Sequence, residues 1–523
     1  MVKKIFFFVI SIIKFSTIFG QTVSGAIATN TTWQTDTVYL TGDVIVNNGV
    51  TLTINAGTKV VANGFYKIII RGRLLAVGTA TRPIRFTKQD TMGLFNPRTT
   101  DGAWGGLRFD KIITSNDSSI LKYCVVEYAK SNVTFNQPFS SGGIAIDSCS
   151  KILIQSSIIR NNTTATSGGG IYIRNASPVI SQNNILNNFA LGLGGGIAVE
   201  QNSNPIIEKN IIILNSATVY PALSLNTNPT NTTKINANII ANNGSIGEFD
   251  AYAVYVGSAK SIVTNNIIVN NQNGGISFGA VIPTNSILSN NTICNNMEGA
   301  GVFLAGSNTV KICNNIIHNN LPVFQVPFLQ GITTSRENIG TLCYHNNIGD
   351  TISSFHTQVD NFDTLPRFVR VSFLLTSTEL GYEMDWRLRE NDSNIDKGTL
   401  LFGLDTIMRN EKDVYGNPRI SNNRIDVGAA EYQNRTATSE IEKAENVKIY
   451  PNPFSGQLWI DLSKLKGNFD YKIINLNGQI IESGNLQSEL NMFETNHYPN
   501  GTYILQIQNK EKQILSAKIQ KLN

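Results

Sequence analysis

Three charged residues stand at matching places in three successive stretches of similar sequence. Asp147 follows Gly142-Gly143-Ile144-Ala145-Ile146, Arg174 follows Gly168-Gly169-Gly170-Ile171-Tyr172-Ile173, and Glu200 follows Gly194-Gly195-Gly196-Ile197-Ala198-Val199. If these stretches stack as parallel strands at about 4.8 Å, Asp147 and Glu200 lie two rungs apart, about 9.6 Å at the backbone. Carboxylates about 6.5–9.5 Å apart suit an inverting glycosidase, one as acid and one as base. An arginine beside a carboxylate suits a lyase instead, neutralising a uronate while a base takes its proton. The same residues also read as an inter-coil ion-pair ladder, which adds little stability on an exposed face. Arg174 between two acids favours that ladder, because a nearby cation opposes the protonated form a general acid must hold. The column continues as Asn226, Gly257, Gly279 and Ala305, so no long charged groove follows from it.

Tyr172 and Tyr255 share the neighbouring outward column with Ala145, Ala198, Ser224, Ser277 and Phe303. Their rings could stack on sugars, or be ordinary exposed aromatics. His318 falls in a slot held elsewhere by Arg160, Leu186, Ala241, Val269 and Cys294, a variety that argues against a catalytic histidine. The glycine runs precede strands rather than helices, so they are corners and not phosphate cradles. No metal-ligand spacing is visible; calcium at an Asp-rich corner stays open. The five cysteines, Cys124, Cys149, Cys294, Cys313 and Cys343, are an odd set. Buried free thiols are expected, with one bridged pair as the alternative.

The elements that must position these residues recur from Ser141 to Asn320. The opener returns after 171 − 144 = 27 and then 197 − 171 = 26 positions, and again at Gly274-Gly275-Ile276-Ser277-Phe278 and Gly299-Ala300-Gly301-Val302-Phe303-Leu304. Weaker copies stand at Ala222-Leu223-Ser224-Leu225 and Ala253-Val254-Tyr255-Val256. A second strand follows each opener, as in Pro205-Ile206-Ile207-Glu208, and a third is bracketed by asparagines, as in Asn265-Asn266-Ile267-Ile268-Val269-Asn270-Asn271. Self-similarity at this period, with β-branched strands and Gly or Asn corners, predicts a β-solenoid of three strands per coil. Asn tolerates the left-handed corner backbone and can hydrogen-bond along the stack as a ladder. These coils resemble the right-handed parallel β-helix of the pectate-lyase-like superfamily. The resemblance implies an all-β fold and leaves function open, since enzymes and non-enzymes share it. The Arg-x-Pro-x-x-Arg and Trp-x-Asp-His motifs of pectate lyases have no counterpart here.

Around the coils the chain divides further. Residues 1–20 read as a secretory signal peptide: Lys3-Lys4, then the apolar run Ile5 to Ile13, cut short by Lys14. Without those three lysines the net charge of +5 falls to 5 − 3 = +2, and nothing points to nucleic acid. No later stretch approaches the apolar length of a membrane span. Residues 21–350 are assigned to the β-helix with its N-terminal cap coils, and 351–433 to a C-terminal cap. The latter resembles the choice-of-anchor type of cap through Pro366-Arg367-Phe368-Val369, Asp385-Trp386-Arg387-Leu388, Asp413 to Arg419 and Ile425 to Tyr432. Its Asp396, Asp413, Arg419 and Asp426 are expected to tie loops across the last coil. Residues 434–446 are polar and read as a linker. Residues 447–523 carry alternating strands and predict a small antiparallel β-sandwich. Tyr450-Pro451-Asn452-Pro453-Phe454, Asn500-Gly501-Thr502-Tyr503 and the basic tail with Lys518 and Lys521 resemble the type IX secretion sorting domain of Bacteroidetes. That resemblance implies export by the type IX machinery, then surface anchoring or release. The reading is of an exported protein that contacts extracellular or surface polysaccharide. Two classes stay open: a non-catalytic glycan binder, and a polysaccharide lyase or glycoside hydrolase.

Overall fold

The computed structural model describes residues 20–523 except 97–98, 114–115, 132–140, 229–231, 248–250, 258–259, 280–284, 306–308, 322–330, 335–340, 350–356, 372–380, 401–402, 404–407, 422, 434–446, 453, 464–466, 476–478, 487–488, 509–512 and 522–523. The expected signal peptide, save Gly20, and the expected linker lie outside the described residues. The chain forms two compact units, Met1–Tyr432 and Gln433–Asn523.

The first unit is a right-handed parallel β-helix. Its opener strands stack in the predicted register, Ile144 beside Ile171, Ile171 beside Ile197, Ile197 beside Leu223, and on through Val254, Ile276, Val302 and Ile332. Second strands form a separate ladder of 13. Third strands form another, joined to the openers through the long strand Thr37–Val46, whose two halves pair with Lys59–Ala62 and Lys67–Ile70. Alternate aliphatics of all three strands point inward and build one continuous buried core. Five coils add a short fourth strand that sequence did not announce: Lys130–Ser131, Thr163–Thr164, Phe189–Leu193, Ser216–Val219 and Gly244–Ser245.

The Asn-Asn pairs divide the work of a corner. The first residue takes the left-handed backbone, as at Asn265 (φ +60°) and Asn270 (φ +52°). The second turns inward and joins a ladder. One ladder runs Asn183, Asn210, Asn238, Asn266, Asn291, Asn315, Asn346, and the other Asn162, Asn188, Asn215, Asn243, Asn271, Asn296, Asn320. Each side-chain amide donates to the next Oδ1 at 2.8–3.1 Å. Every member is buried, so the ladders satisfy polar groups that water cannot reach.

The segment after the last coil goes further than expected. Its acids do tie loops: Asp413 Oδ1 accepts from the Tyr415 and Asn417 amides, and Asp426 Oδ1 from the Asp396 amide. Yet the segment does not stay on the last coil. Phe368, Met384, Trp386, Leu388, Val427 and Ala429 pack on the outward face of the third strands, over Ile213, Ile267, Val269 and Ile316. Lys234 bonds Glu411 at 2.5 Å, and Gly381 N donates to Asn242. The outward aliphatics on these strands explain the placement, since they would otherwise face water.

The second unit is antiparallel, with a three-stranded and a four-stranded sheet around a core that includes Phe454, Leu458, Tyr471, Phe493 and Ile507.

All five cysteines are free and buried, and burial pushes each thiol up to about 12. Thiolate is the reactive form. The folded protein is therefore expected to give no thiol signal with an aromatic disulfide reagent near neutral pH, and all five on denaturation. Any fast-reacting thiol in the native protein would contradict this burial.

Candidate functional site

The candidate site lies on the outward face of the opener strands. Asp147 stands beside Arg174, and Arg174 beside Glu200, in the anticipated column. The column also extends the other way. Asp110 sits beside Asp147 and takes an ion pair from Arg71 at 3.1 Å. The order is therefore Arg71, Asp110, Asp147, Arg174, Glu200. Sequence reasoning missed the first two because 147 − 110 = 37 departs from the regular period. Leu107-Arg108-Phe109-Asp110 carried the signal, with the same order of inward and outward residues as Ile144 to Asp147.

The partners within the column are specific. Arg174 Nη2 donates to Asp147 Oδ2 at 2.5 Å, and Ser148 Oγ donates to Asp147 Oδ1 at 2.9 Å. The Tyr172 hydroxyl donates to Glu200 Oε2 at 2.7 Å. The hydrogen bond to Asp147 raises the Arg174 pKa against the opposing effect of burial. Burial, then the Glu200 carboxylate, pushes the Tyr172 phenol up, so it is a donor at neutral pH. Tyr172 as a whole is only 5% exposed. Tyr172 thus walls the charged cluster, its hydroxyl engaged by Glu200. Arg174 is a quarter exposed, and its Nε has no hydrogen-bond partner among the described residues. At rest each acid of this trio is occupied, Asp147 by a guanidinium and Glu200 by a phenol. That is the ion-pair and hydrogen-bond ladder, and a reacting group would have to displace one of these partners.

Tyr255 behaves differently. Three rungs beyond Tyr172 in the same column, it is partly exposed and stacks on Tyr220 with centroids 4.2 Å apart and planes 7° apart. Gly257 and Gly279 replace the charged residues of earlier coils. A Cβ on Gly279 would lie 2.4 Å from the Tyr255 ring, so these glycines make room for it. Next to it Tyr252 stacks on Phe303 at 5.5 Å and 11°. Gly274 makes room there in turn, since a Cβ would sit 2.3 Å from Tyr252. Sequence reasoning found Tyr255 but neither stacking pair, because Tyr220 and Tyr252 lie outside its column. The glycines at 257, 274 and 279 were the available signal.

Two further residues have structural duties. Arg108 is buried and donates to the carbonyls of Leu107, Ser141 and Gly142, pinning a corner; burial pushes its pKa down to about 9. His318 is buried with Nε2 2.8 Å from Asn347 Oδ1, remote from the opener face in sequence register. Among the described residues, no group of three or more His, Cys, Asp or Glu side chains is placed to hold a metal ion. Among them too, no helix is long and apolar enough to cross a membrane.

Comparison with known proteins agrees with this architecture. Residues 110–280 match the family described as right handed beta helix region, and residues 25–143 the pectate-lyase like beta helix domain. Residues 448–521 match the secretion system C-terminal sorting domain. No curated protein matches the chain. Among solved structures, that of the periplasmic alginate epimerase AlgG is similar over 64% of this chain and 78% of its own, at 15% identity and a TM-score of 0.34. The sorting domain marks the chain for type IX secretion to the cell surface or extracellular space.

Proposed function

We propose that this type IX-exported β-helix protein binds extracellular or surface polysaccharide along the outward face of its opener strands. The observation that carries the reading is the Tyr255–Tyr220 platform, given room by Gly257 and Gly279, on the same face as the Asp110–Glu200 charged column. A stacked tyrosine pair offers a rigid apolar plane with polar hydroxyls at its edge, which suits a sugar ring. The charged rungs, a few strand spacings away, offer hydroxyl-binding carboxylates and the partly exposed guanidinium of Arg174. Together they fit a chain molecule spanning several rungs.

A second reading rests on the half-buried Arg174–Asp147 and Tyr172–Glu200 pairs: a lyase or glycoside hydrolase whose acids are released when substrate displaces their partners. One experiment separates the two. The protein is incubated with uronate-containing and neutral polysaccharides, with and without calcium, while retention, unsaturated product and reducing ends are followed. The binding reading expects retention without product, and Arg174→Ala or Glu200→Gln to leave product at background. Product that vanishes in those variants would replace binding by catalysis. Neither retention nor product on any polymer would remove both readings.

A further inference from the structure

We infer a second ligand site, for an anionic polymer, on a different face: the outward side of the third strands in the first coils, ahead of the cap. There Glu127 is 1% exposed and accepts from Arg85 Nη1 at 2.8 Å, Arg160 Nη2 at 2.8 Å, Arg160 Nε at 2.9 Å and Thr87 Oγ1 at 2.9 Å. Lys59 lies directly beside Arg85 on the neighbouring rung. Glu127 stands beside Arg160 on the next.

The charges do not cancel. One guanidinium would neutralise a buried carboxylate; two leave an excess, and Lys59 raises it. Lys59 and Arg85 are like charges side by side, an arrangement that costs stability in a sheet. Among the described residues no acid pairs with Lys59, and Glu127 compensates only the arginines. Such a local conflict is where function is to be sought.

The spare donors face water. Arg85 and Arg160 keep side-chain exposures of 42% and 35%, and Lys59 is exposed. Arg85 Nε and Nη2 and Arg160 Nη1 have no protein partner among the described residues. Glu127, held from below, fixes both guanidinium planes before any ligand arrives. A pre-set arginine fork loses little freedom on binding a carboxylate or sulfate. The cations repeat along the solenoid axis, so a polymer with repeated oxyanions meets several at once. Among the described residues the cap's apolar contacts begin one rung beyond Arg160, at Leu186 and Ile211.

The test is titration of the full chain with polygalacturonate and with dextran sulfate, at low and high salt, against a neutral glucan. Binding of at least one anionic polymer that weakens with salt is expected. Lys59→Ala and Arg85→Gln should each weaken it roughly tenfold, and leave retention of any neutral polymer unchanged. Lys59 is exposed, so its variant folds even if loss of Arg85 strands Glu127. Loss with one polymer only identifies carboxylate or sulfate as the preferred group. Three results would overturn the site: no binding of either polymer at low salt, variants that bind like the wild type, or preference for anionic lipid vesicles over both polymers. Tyr255→Ala serves as the control for the opener face, so failure here is distinguishable from failure there.

Discussion

Asn266→Ala is expected to destabilise the solenoid by about 4 kcal/mol. Asn266 Nδ2 donates to Ile235 O at 3.0 Å, Thr264 O at 2.9 Å and Asn291 Oδ1 at 3.0 Å. Its Oδ1 accepts from the backbone and side-chain amides of Asn238 at 2.9 and 3.0 Å. The residue is fully buried. Alanine would take the acceptor from the backbone and side-chain amides of Asn238 and a donor from Ile235 O, while Thr264 O keeps the Ala237 amide. Each buried group left unsatisfied costs about 1–3 kcal/mol, with partial relief from water entering the gap. Asn202→Ala is the control: Asn202 belongs to an exposed chain of amides with Asn175 and Asn228, where water replaces what is lost. Denaturant unfolding should show a large drop in midpoint for the first variant and almost none for the second. Equal, small effects would mean that the inner ladder is decoration on a stack held by aliphatic burial alone.

The second large effect is a loss of cap stability as pH rises from about 5 to above 8. Burial pushes the Asp426 carboxyl up to about 6 and the Glu431 carboxyl up to about 8. Asp396 and Asp413 add negative charge nearby, and Arg419, fully buried with Nη2 3.7 Å from Glu431, opposes them. Both folded-state values lie above the ordinary carboxyl range. The folded protein therefore holds protons that the unfolded chain has already released. Stability is fully present below about 4 and is lost as pH climbs through 6 and then 8, a difference on the order of 7 kcal/mol if the two shifts add. The segment affected is the one stitched to the solenoid through Asn290 to Asp426 O, Ala429 N to Thr292 and Gly428 N to Asn314 O. Hydrogen exchange of residues 425–431 should quicken, beyond its intrinsic pH dependence, between pH 5 and 8.5. Glu431→Gln, which keeps an acceptor for the Asp426 amide, should remove most of that excess. A cap equally protected at both pH values would contradict the account.

Much of this was legible in the sequence, for a physical reason. A solenoid repeats its constraints, so Ile144, Ile171 and Ile197 announced the register, and the register placed Asp147, Arg174 and Glu200 in one column. What escaped was whatever one coil does differently from its neighbours. Asp110 escaped because its coil is longer. The burial of Tyr172 escaped because a residue's direction follows from the strand, whereas its burial follows from what lies over it. Tyr220 comes from a corner, which no period fixes, and Tyr252 from the head of its strand, where it pairs with Gly274 and the regular openers carry glycine. The cap was recognised by its motifs, but its course over Ile213 to Ile316 depends on which outward faces are apolar, a property of the coils and not of the cap's own sequence.

The most direct test of the central claim is polysaccharide retention by the intact protein beside Tyr255→Ala and Gly279→Val. The first removes the partly exposed ring; the second drives a side chain into the space that the ring occupies. Binding through the opener face predicts that the wild type is retained on at least one polysaccharide and that both variants lose at least tenfold in affinity, the order expected for one well-placed aromatic contact. Unchanged retention in both, with folding intact, would show that the Tyr255–Tyr220 platform is not where this protein meets its glycan.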